Sequence, residues 1–152
     1  MSSSVKEARD QGREKILVVD DEEVILDLLR RVLRREGYQV TAALRGEEAL
    51  GLVSTQRFDL AIADVGLRQI DGRELVRSIV ETSPQTAIVA MSGYPGDGFI
   101  RFAREHAQGY LEKPFTLEDL LATVRSALEE RAMCQGEARM VSSPRSRKGA
   151  QA

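Results

Sequence analysis

The sequence predicts an α/β fold, a doubly wound parallel sheet of five strands with helices on both faces. Short apolar runs, each about 4–6 residues long as is typical of buried strands, alternate with segments whose apolar residues recur at helical spacing. No hairpin turn joins two of these runs, so helical crossovers must connect successive strands and make them parallel. The 152 residues, 42% of them hydrophobic, suffice for one domain with a sizeable core.

Three strands and two helices are predicted in the first half of the chain. The strands lie at residues 16–19, 38–43 and 60–63. The first and third are apolar throughout, as in strands buried on both faces. The first helix ends near Gly37, because glycine suits the left-handed residue that follows many helices. Its predicted apolar stripe consists of Val24, Ile25, Leu28, Leu29, Val32 and Leu33. A second helix is predicted at residues 46–53.

The second half of the chain continues the alternation of strands and helices. A third helix must close before Pro84, since the residue preceding a proline disfavours helical geometry. Strands are predicted at residues 87–91 and 110–111. Asp97 and Thr116 are the expected N-caps of the fourth and fifth helices, because their side-chain oxygens can accept hydrogen bonds from the first free N–H groups.

Composition divides the chain into one domain and two tails. We expect a flexible N-terminal segment at residues 1–13, the folded domain at 14–132, and a disordered, mildly basic tail at 133–152, which lacks apolar periodicity. No apolar run approaches the roughly 20 residues of a membrane span, and the N-terminus lacks the apolar region of a signal peptide. With Cys134 as the one cysteine, these features predict a cytoplasmic protein that does not bind membranes. The formal net charge of −2 gives no support to nucleic-acid binding.

Four of the predicted strands are followed by residues capable of chemistry. Asp20 and Asp21 come after the first strand, Asp64 after the third, Ser92 after the fourth and Lys113 after the fifth. In parallel sheets of this class, ligands bind in a crevice at the carboxyl ends of the strands. Each residue alone has an ordinary explanation, such as a helix cap or a solvated lysine. Their joint occurrence at four strand ends favours one functional site.

This set of residues suits the binding of a divalent cation and a phosphoryl group. Two unit charges 4 Å apart repel by about 4 kcal/mol at an effective dielectric constant of 20, so three clustered carboxylates need a cation or a proton. Oxygen ligands without histidine or cysteine favour Mg²⁺ or Mn²⁺. Lys113 and the Ser92 hydroxyl supply the charge and the donors that phosphoryl oxygens require. One carboxylate then remains available as a nucleophile.

Several short motifs resemble those of the response-regulator receiver domains of two-component signalling, over roughly residues 14 to 132. They occur in the family's order and spacing, and they are Val18-Val19-Asp20-Asp21-Glu22, Asp64 with Asp71-Gly72 behind it, Met91-Ser92-Gly93 and Lys113-Pro114-Phe115. One departure is Leu67-Arg68, where the family usually has Met-Pro. This change removes the fixed φ of proline from the loop but leaves the expected metal ligands in place.

The resemblance implies that Asp64 is phosphorylated from the phosphohistidine of a partner histidine kinase or phosphotransfer protein, as a step in a phosphorelay. It also implies a Mg²⁺ site formed by Asp21, Asp64 and the Gly66 carbonyl, with Asp20 acting through a metal-bound water. Lys113 would pair with the phosphoryl group. The expected catalysis is confined to the protein's own phosphorylation and dephosphorylation.

The resemblance further assigns a switch to Ser92 and Tyr110. Ser92 would bond the phosphoryl group, and Tyr110 would change rotamer as Ser92 moves. Phosphorylation would thereby alter the surface formed by the fourth helix, the fifth strand and the fifth helix, with Phe99 or Phe102 near Tyr110. Through this surface the protein is expected to recruit or release a kinase, a phosphotransfer protein or a second copy of itself as a homodimer.

Two residues near the site are expected to set the lifetime of the phosphoryl group. Gly66 follows Asp64 by two positions, and Tyr94 follows Ser92 by two positions. In the second case an aromatic ring could shield the acyl phosphate from water. Because only about 20 residues follow the last predicted helix, too few for an output domain, a stand-alone receiver is expected.

Two alternatives from other functional classes remain at this point. A metal-dependent phosphohydrolase could also use an aspartyl-phosphate, but such enzymes place the nucleophile after the first strand in an Asp-x-Asp pattern, where this chain has Asp20-Asp21-Glu22. A receiver-like scaffold that never takes phosphate is argued against by the intact acidic cluster with Ser92 and Lys113. The lone histidine, His106, is predicted to be a surface residue near a helix end rather than a phosphorelay histidine.

Overall fold

Strands and helices alternate along the whole described part of the chain. The computed structural model describes residues 13–66, 72–93 and 98–140, with side chains up to residue 131. The elements are β1 (Lys15–Val19), α1 (Glu23–Arg35), β2 (Gln39–Ala43), α2 (Gly46–Thr55), β3 (Leu60–Asp64), α3 (Gly72–Thr82), β4 (Ala87–Ser92), α4 (Phe99–His106), β5 (Gly109–Glu112) and α5 (Leu117–Met140). Within these ranges no helix is both long enough and apolar enough to cross a lipid bilayer.

All five strands belong to one parallel sheet, which confirms the predicted fold class. The strand order is β2-β1-β3-β4-β5, and every neighbouring pair is parallel. The chain leaves β1 towards β2 on one side and later returns to place β3 on the other. This reversal creates a crevice between the carboxyl ends of β1 and β3, the place where ligands bind in open parallel sheets.

The sheet separates two hydrophobic layers, because successive strand side chains point to opposite faces. In β1, Ile16 and Val18 face the layer covered by α1 and α5, whereas Leu17 and Val19 face the layer covered by α2, α3 and α4. All four side chains are fully buried. A buried sheet of this kind gives the loops at its carboxyl edge a rigid base.

Burial in α1 differs from the predicted stripe. Leu29 and Leu33 are buried as expected, but the third buried residue of the helix is Leu26. Val24 is 78% exposed and Leu28 is 41% exposed. The helix contacts the sheet along a line of residues spaced three and four apart, so apolar residues on either side of that line remain outside the core.

Two predicted helix ends have the expected cap geometry. Gly37 has a φ of 101°, in the left-handed region, and the Tyr38 N–H donates to the Leu33 carbonyl at 3.2 Å, which closes the end of α1. At the start of α5, Thr116 Oγ1 accepts a hydrogen bond from the Asp119 N–H at 2.9 Å. The sequence was sufficient to locate both ends.

The start of α4 is not where it was predicted, and α5 is longer than its predicted apolar stripe, which ended at Leu128. The N-cap position of α4 is Gly98, with a φ of 92°, whereas the predicted cap Asp97 lies outside the described residues. α5 continues to Met140, past the predicted domain boundary at residue 132. Most residues of this extension favour helix, and Pro144 is the first proline after it. Residues 141–152 of the predicted tail, like 1–12 at the other end, lie outside the described ranges.

Candidate functional site

The polar residues predicted at the strand ends lie together at the carboxyl edge of the sheet. Asp20 follows β1 directly, Asp64 is the last residue of β3, and Ser92 is the last residue of β4. Lys113 follows β5, and its peptide bond to Pro114 is cis. The parallel topology brings these residues to one place although they are far apart in sequence.

Lys113 is the cation at the centre of the site. Its Nζ donates to Asp20 Oδ2 at 2.7 Å and to Asp64 Oδ2 at 3.1 Å, and it lies 3.5 Å from Glu22 Oε1. The side chain is only 15% exposed. Burial alone would lower the pKa of Lys113, but the hydrogen bond to Asp20 and the charges of Asp64 and Asp20 outweigh it and raise the pKa to about 12. The ammonium therefore keeps its charge at neutral pH.

Asp64 is buried and held at both carboxylate oxygens. Oδ1 accepts a hydrogen bond from the Gly66 N–H at 2.8 Å, while Oδ2 accepts the one from Lys113. The backbone N–H of Val65 donates to the Met91 carbonyl, which extends the pairing of β3 and β4 past the carboxylate. These contacts fix the direction in which Asp64 presents its carboxylate.

Asp20 lies beneath the opening of the site and has no solvent exposure. Burial raises the pKa of its carboxyl group, while the hydrogen bonds from Lys113 and from the Glu22 N–H act in the opposite direction. The Glu22 N–H donates to Asp20 Oδ1 at 2.9 Å. Asp20 is thus a buried acid whose charge depends on the cation beside it.

Carboxylates from β3 and from the loop after β1 form a cluster that could hold a metal ion. Asp20, Asp21 and Asp64 each offer an oxygen, and these oxygens all lie within 4.8 Å of one another. Such an all-oxygen donor set fits a hard divalent cation such as Mg²⁺ or Mn²⁺. Asp21 is partly exposed and lines the open side of the cluster.

A cavity of about 610 Å³ lies over these groups. Buried Ser92 lines it opposite the carboxylates. Two residues in its wall lie on helices and were not assigned to the site from the sequence, Phe99 of α4 and Arg73 of α3. The remaining wall residues are Asp21, Glu22, Asp64, Val65, Gly66, Gly93 and Lys113.

Gly72 allows α3 to begin directly against the end of β3. A Cβ atom at this position would lie 2.1 Å from Val65 Cα and 2.6 Å from the Asp64 carbonyl oxygen. Both contacts are with backbone atoms, so no side-chain movement could relieve them. A glycine is therefore required where the helix meets the site.

The expected switch residue, Tyr110, lies on β5 next to the cavity wall. Its ring meets the ring of Phe99 edge-on, with centroids 5.8 Å apart and an interplanar angle of 86°. Phe99 is fully buried and also lines the cavity, so one aromatic ring separates Tyr110 from the site. Phe102 is buried on the same helix, as the helical spacing allowed.

Some of the predicted residues cannot be placed. Tyr94, Asp71 and the pair Leu67-Arg68 lie outside the described residues. His106 is the last residue of α4 and stacks on the Phe102 ring at 4.5 Å, away from the cavity. In the sequence, Arg73 is visible only as a basic residue directly after Gly72, and no local pattern places it in the cavity.

The profile of one protein family matches most of the chain. Residues 16–125 match the response regulator receiver domain. Response regulator MprA of Mycolicibacterium vanbaalenii is 36% identical over 115 residues, which are 75% of this chain and 50% of that protein. The chain therefore spans about half the length of these curated relatives. Sensor kinase CckA of Brucella abortus is 35% identical over 130 residues, 83% of this chain and 14% of the kinase.

Solved structures show the same similarity. A CheY-like response regulator receiver domain protein from Methanospirillum hungatei has a TM-score of 0.77 and 30% identity, over 80% of this chain and 98% of that one. A response regulator from Burkholderia pseudomallei, solved with a phosphorylated aspartic acid, a calcium ion and citrate, has a TM-score of 0.69 and 29% identity, over 86% and 75% of the two chains. The family match, the relatives and the parallel five-stranded fold agree, and the chain belongs to the response regulator receiver domain family.

Proposed function

We propose that this protein is a phosphoacceptor signalling module in which Asp64 receives a phosphoryl group from a partner histidine kinase or phosphotransfer protein. The observation that carries the proposal is the Lys113 ammonium, which bridges Asp64 and buried Asp20 at 3.1 and 2.7 Å. A charged donor that already touches the acceptor carboxylate is suitably placed for the oxygens of an incoming phosphoryl group. The phosphorylated aspartic acid in the Burkholderia pseudomallei relative supports this reading.

The transfer step exchanges one bond of phosphorus for another. An oxygen of the Asp64 carboxylate forms a bond to phosphorus while the bond between phosphorus and the imidazole nitrogen of the donor breaks. The electron pair of the broken bond returns to the imidazole ring, which remains on the partner. Lys113 and the Ser92 hydroxyl then hydrogen-bond the phosphoryl oxygens, where negative charge accumulates.

The proposed reaction depends on a divalent cation, Mg²⁺ or Mn²⁺. Asp20, Asp21 and Asp64 would hold it, with the Gly66 carbonyl as a further ligand, because their oxygens form the compact donor set described above. When bound, the cation supplies positive charge that offsets repulsion between the carboxylates and the phosphoryl oxygens. The chain itself contributes the orientation of Asp64 through the Gly66 N–H.

We assign no catalysis to the protein beyond its own phosphorylation and dephosphorylation, both in the cytoplasm. Gly66 belongs to the proposed lifetime-setting pair with Tyr94. A Cβ atom at residue 66 would lie 3.4 Å from Asp64 Oδ1, in ordinary van der Waals contact. A side chain at this position would therefore stand beside the Asp64 carboxylate and affect the access of water to it.

The proposed output surface consists of α4, β5 and α5. A phosphoryl group on Asp64 attracts the Ser92 hydroxyl by a charge-assisted hydrogen bond, and Tyr110 turns inward past Phe99 as Ser92 moves. Beside Tyr110 an open groove of about 430 Å³ lies between α4 and α5, on the proposed output surface. A coupling of about 1–3 kcal/mol, typical of allosteric sites, suffices to change the affinity of a kinase, a phosphotransfer protein or a second copy of the chain.

The direct test is incubation with acetyl phosphate and Mg²⁺, followed by intact-mass measurement. The parent protein should gain the mass of one phosphoryl group, and Asp64→Asn should gain none. Asp59→Asn is the matched control, because Asp59 precedes β3 at the opposite end of the strand, where it binds the Lys15 N–H and Arg131. This control should be labelled like the parent. Labelling that persists in Asp64→Asn would contradict the assignment of the acceptor.

A further inference from the structure

Arg73 is a basic residue of the site that the proposed function does not use. It is the second residue of α3, and it lines the cavity that contains Asp64, Ser92 and Lys113. The preceding residue, Gly72, is packed against the backbone of β3 at Asp64 and Val65. The backbone of Arg73 is therefore held beside the acceptor strand, with its side chain half-buried at the cavity wall.

The stability of the helix does not explain an arginine at this position. The amino end of a helix carries the positive end of the helix dipole, so a cation in the first turn is unfavourable there. The acidic residue of this turn, Glu74, has the sign that the dipole prefers. An anion close to Arg73 would reverse the balance, and Asp64 is where the proposed reaction adds one.

The Arg73 guanidinium lies over an aromatic ring of the neighbouring helix. Its Cζ is 5.6 Å from the ring centroid of Phe102 in α4, within the range of a cation–π interaction. Arg77, one turn further along α3, lies over the same ring at the same 5.6 Å. Arg77 is exposed, and among the described residues it is not part of the cavity wall. Only one of the two cations over Phe102 thus also faces the site.

The charge at the site gives Arg73 a reason to move. Lys113 already shares its charge among Asp20, Asp64 and Glu22. Phosphorylation replaces the single charge of the Asp64 carboxylate with roughly two charges on the phosphoryl group, so the site gains about one negative charge beyond those that Lys113 and the proposed divalent cation already balance. The planar guanidinium matches the oxygens of a phosphoryl group with paired donors. Two such charge-assisted hydrogen bonds together outweigh one cation–π contact with the buried Phe102 ring.

We propose that Arg73 is a second phosphoryl-binding cation. When Asp64 carries the phosphoryl group, the guanidinium leaves the Phe102 ring and hydrogen-bonds the phosphoryl oxygens. This inference rests on the proposed role of Asp64. It adds a way for phosphorylation to affect α4 that is separate from Ser92 and Tyr110. When the Arg73 guanidinium moves to the phosphoryl group, the Phe102 ring of α4 loses its cation–π contact with Arg73.

The test compares Arg73→Gln with Arg77→Gln, which each remove one charge from the same ring. The full chain is labelled with fluorophenylalanine, which gives four fluorine signals because the sequence contains four phenylalanines. Loss of a signal in Phe102→Leu identifies that of Phe102. Titration with beryllofluoride in the presence of Mg²⁺ mimics phosphorylation, and it yields both the affinity and the response of the Phe102 signal by NMR.

In the parent and in Arg77→Gln, beryllofluoride should bind with equal affinity and shift the Phe102 signal. Arg73→Gln should bind it roughly tenfold more weakly, since a charged donor to the phosphoryl oxygens is lost, and its Phe102 signal should no longer respond. Arg73→Lys should recover part of the affinity, because lysine restores the charge without the paired donors.

Equal affinities and equal Phe102 shifts in Arg73→Gln and Arg77→Gln would overturn the role of Arg73 while leaving Asp64 as the acceptor. If the parent gains no phosphoryl group from acetyl phosphate, the proposed function and this inference both fail. The mass measurement and the fluorine spectrum thus separate the two failures.

Discussion

At the scale of single residues, the site depends on one cation that serves several anions. Lys113 is tied to Asp20 and Asp64, and Asp20 is completely buried. Removing one partner of a buried charge pair typically costs about 3–5 kcal/mol, because the other charge is left uncompensated. Lys113 thus holds the site together in addition to its proposed role in binding the phosphoryl group. Substituting Lys113 would change the stability of the protein and its phosphorylation together. A partly exposed residue among the expected metal ligands is therefore a better position for a functional test.

Asp21 is that residue. Asp21→Ala should abolish Mg²⁺-dependent phosphorylation by acetyl phosphate, because the loss of a carboxylate ligand leaves the incoming phosphoryl charge uncompensated. Calorimetric titration with Mg²⁺ should show a correspondingly weaker affinity. Asp27→Ala is the control, since Asp27 is a partly exposed residue of α1 and pairs only with Arg30 and Arg31 among the described ion pairs. Unchanged Mg²⁺ affinity in Asp21→Ala would move the metal site elsewhere.

Residues at strand ends could be found from the sequence, whereas residues on helices could not. Asp64 follows an apolar run directly, and Lys113 follows one with only Glu112 between. In a parallel sheet that position alone brings them to the carboxyl edge. Arg73 and Phe99 reach the same cavity only because α3 and α4 pack at particular angles on the sheet. No local pattern of residues encodes those angles, so their part in the site had to come from the structure.

At the scale of elements, the junction of β3 and α3 is the tightest contact around the site. The position of a Cβ at Gly72 falls 2.1 Å from Val65 Cα. The helix is thereby brought within contact of the acceptor strand, and Arg73 with it. The junction connects the carboxylate cluster with the packed helices α3 and α4. Its geometry therefore affects the cluster and the helix packing alike.

Gly72→Ala should lower the free energy of unfolding by about 1–3 kcal/mol, the usual cost of forcing extra atoms into a packed region. Gly51→Ala is the matched control in α2, where a Cβ meets no atom within 4 Å. That substitution should raise the free energy of unfolding by about 1 kcal/mol, because alanine favours helix over glycine. Urea unfolding of both variants measures the difference. If Gly72→Ala is as stable as the parent, the backbone at the junction can shift to accommodate the Cβ, and the prediction is wrong.

A helix end could be predicted where a single residue determines it. Features that depend on how the helix packs could not be predicted in this way. Gly37 and Thr116 act through their own backbone or side chain, so the sequence was sufficient. The buried side of α1 was predicted less well, since Leu26 replaces Val24 and Leu28 in the core. All three are apolar, and the choice among them depends on how the helix is rotated against the sheet.

At the scale of the whole molecule, the proposed signal crosses from the acceptor to a distant face through α4. Beryllofluoride with Mg²⁺ should change amide hydrogen exchange in α4 and β5, because Phe99 links the cavity to Tyr110. Exchange measured by mass spectrometry, with Asp64→Asn as the control that should show no change, gives the map. Changes restricted to the loop after Asp64 would exclude this route.

The contacts of Lys113 have a consequence for the integrity of signalling. Asp20 and Asp64 lie 93 and 49 residues before the lysine that bridges them, and the strands that carry them are separated by crossover helices. A copy of the chain whose last strand has not docked lacks the bridging ammonium, even if its other strands are paired. Because small domains fold as cooperative units, an incompletely folded copy should not take up the phosphoryl group that we propose Asp64 receives. On this proposal, only completely folded copies of the chain can be phosphorylated.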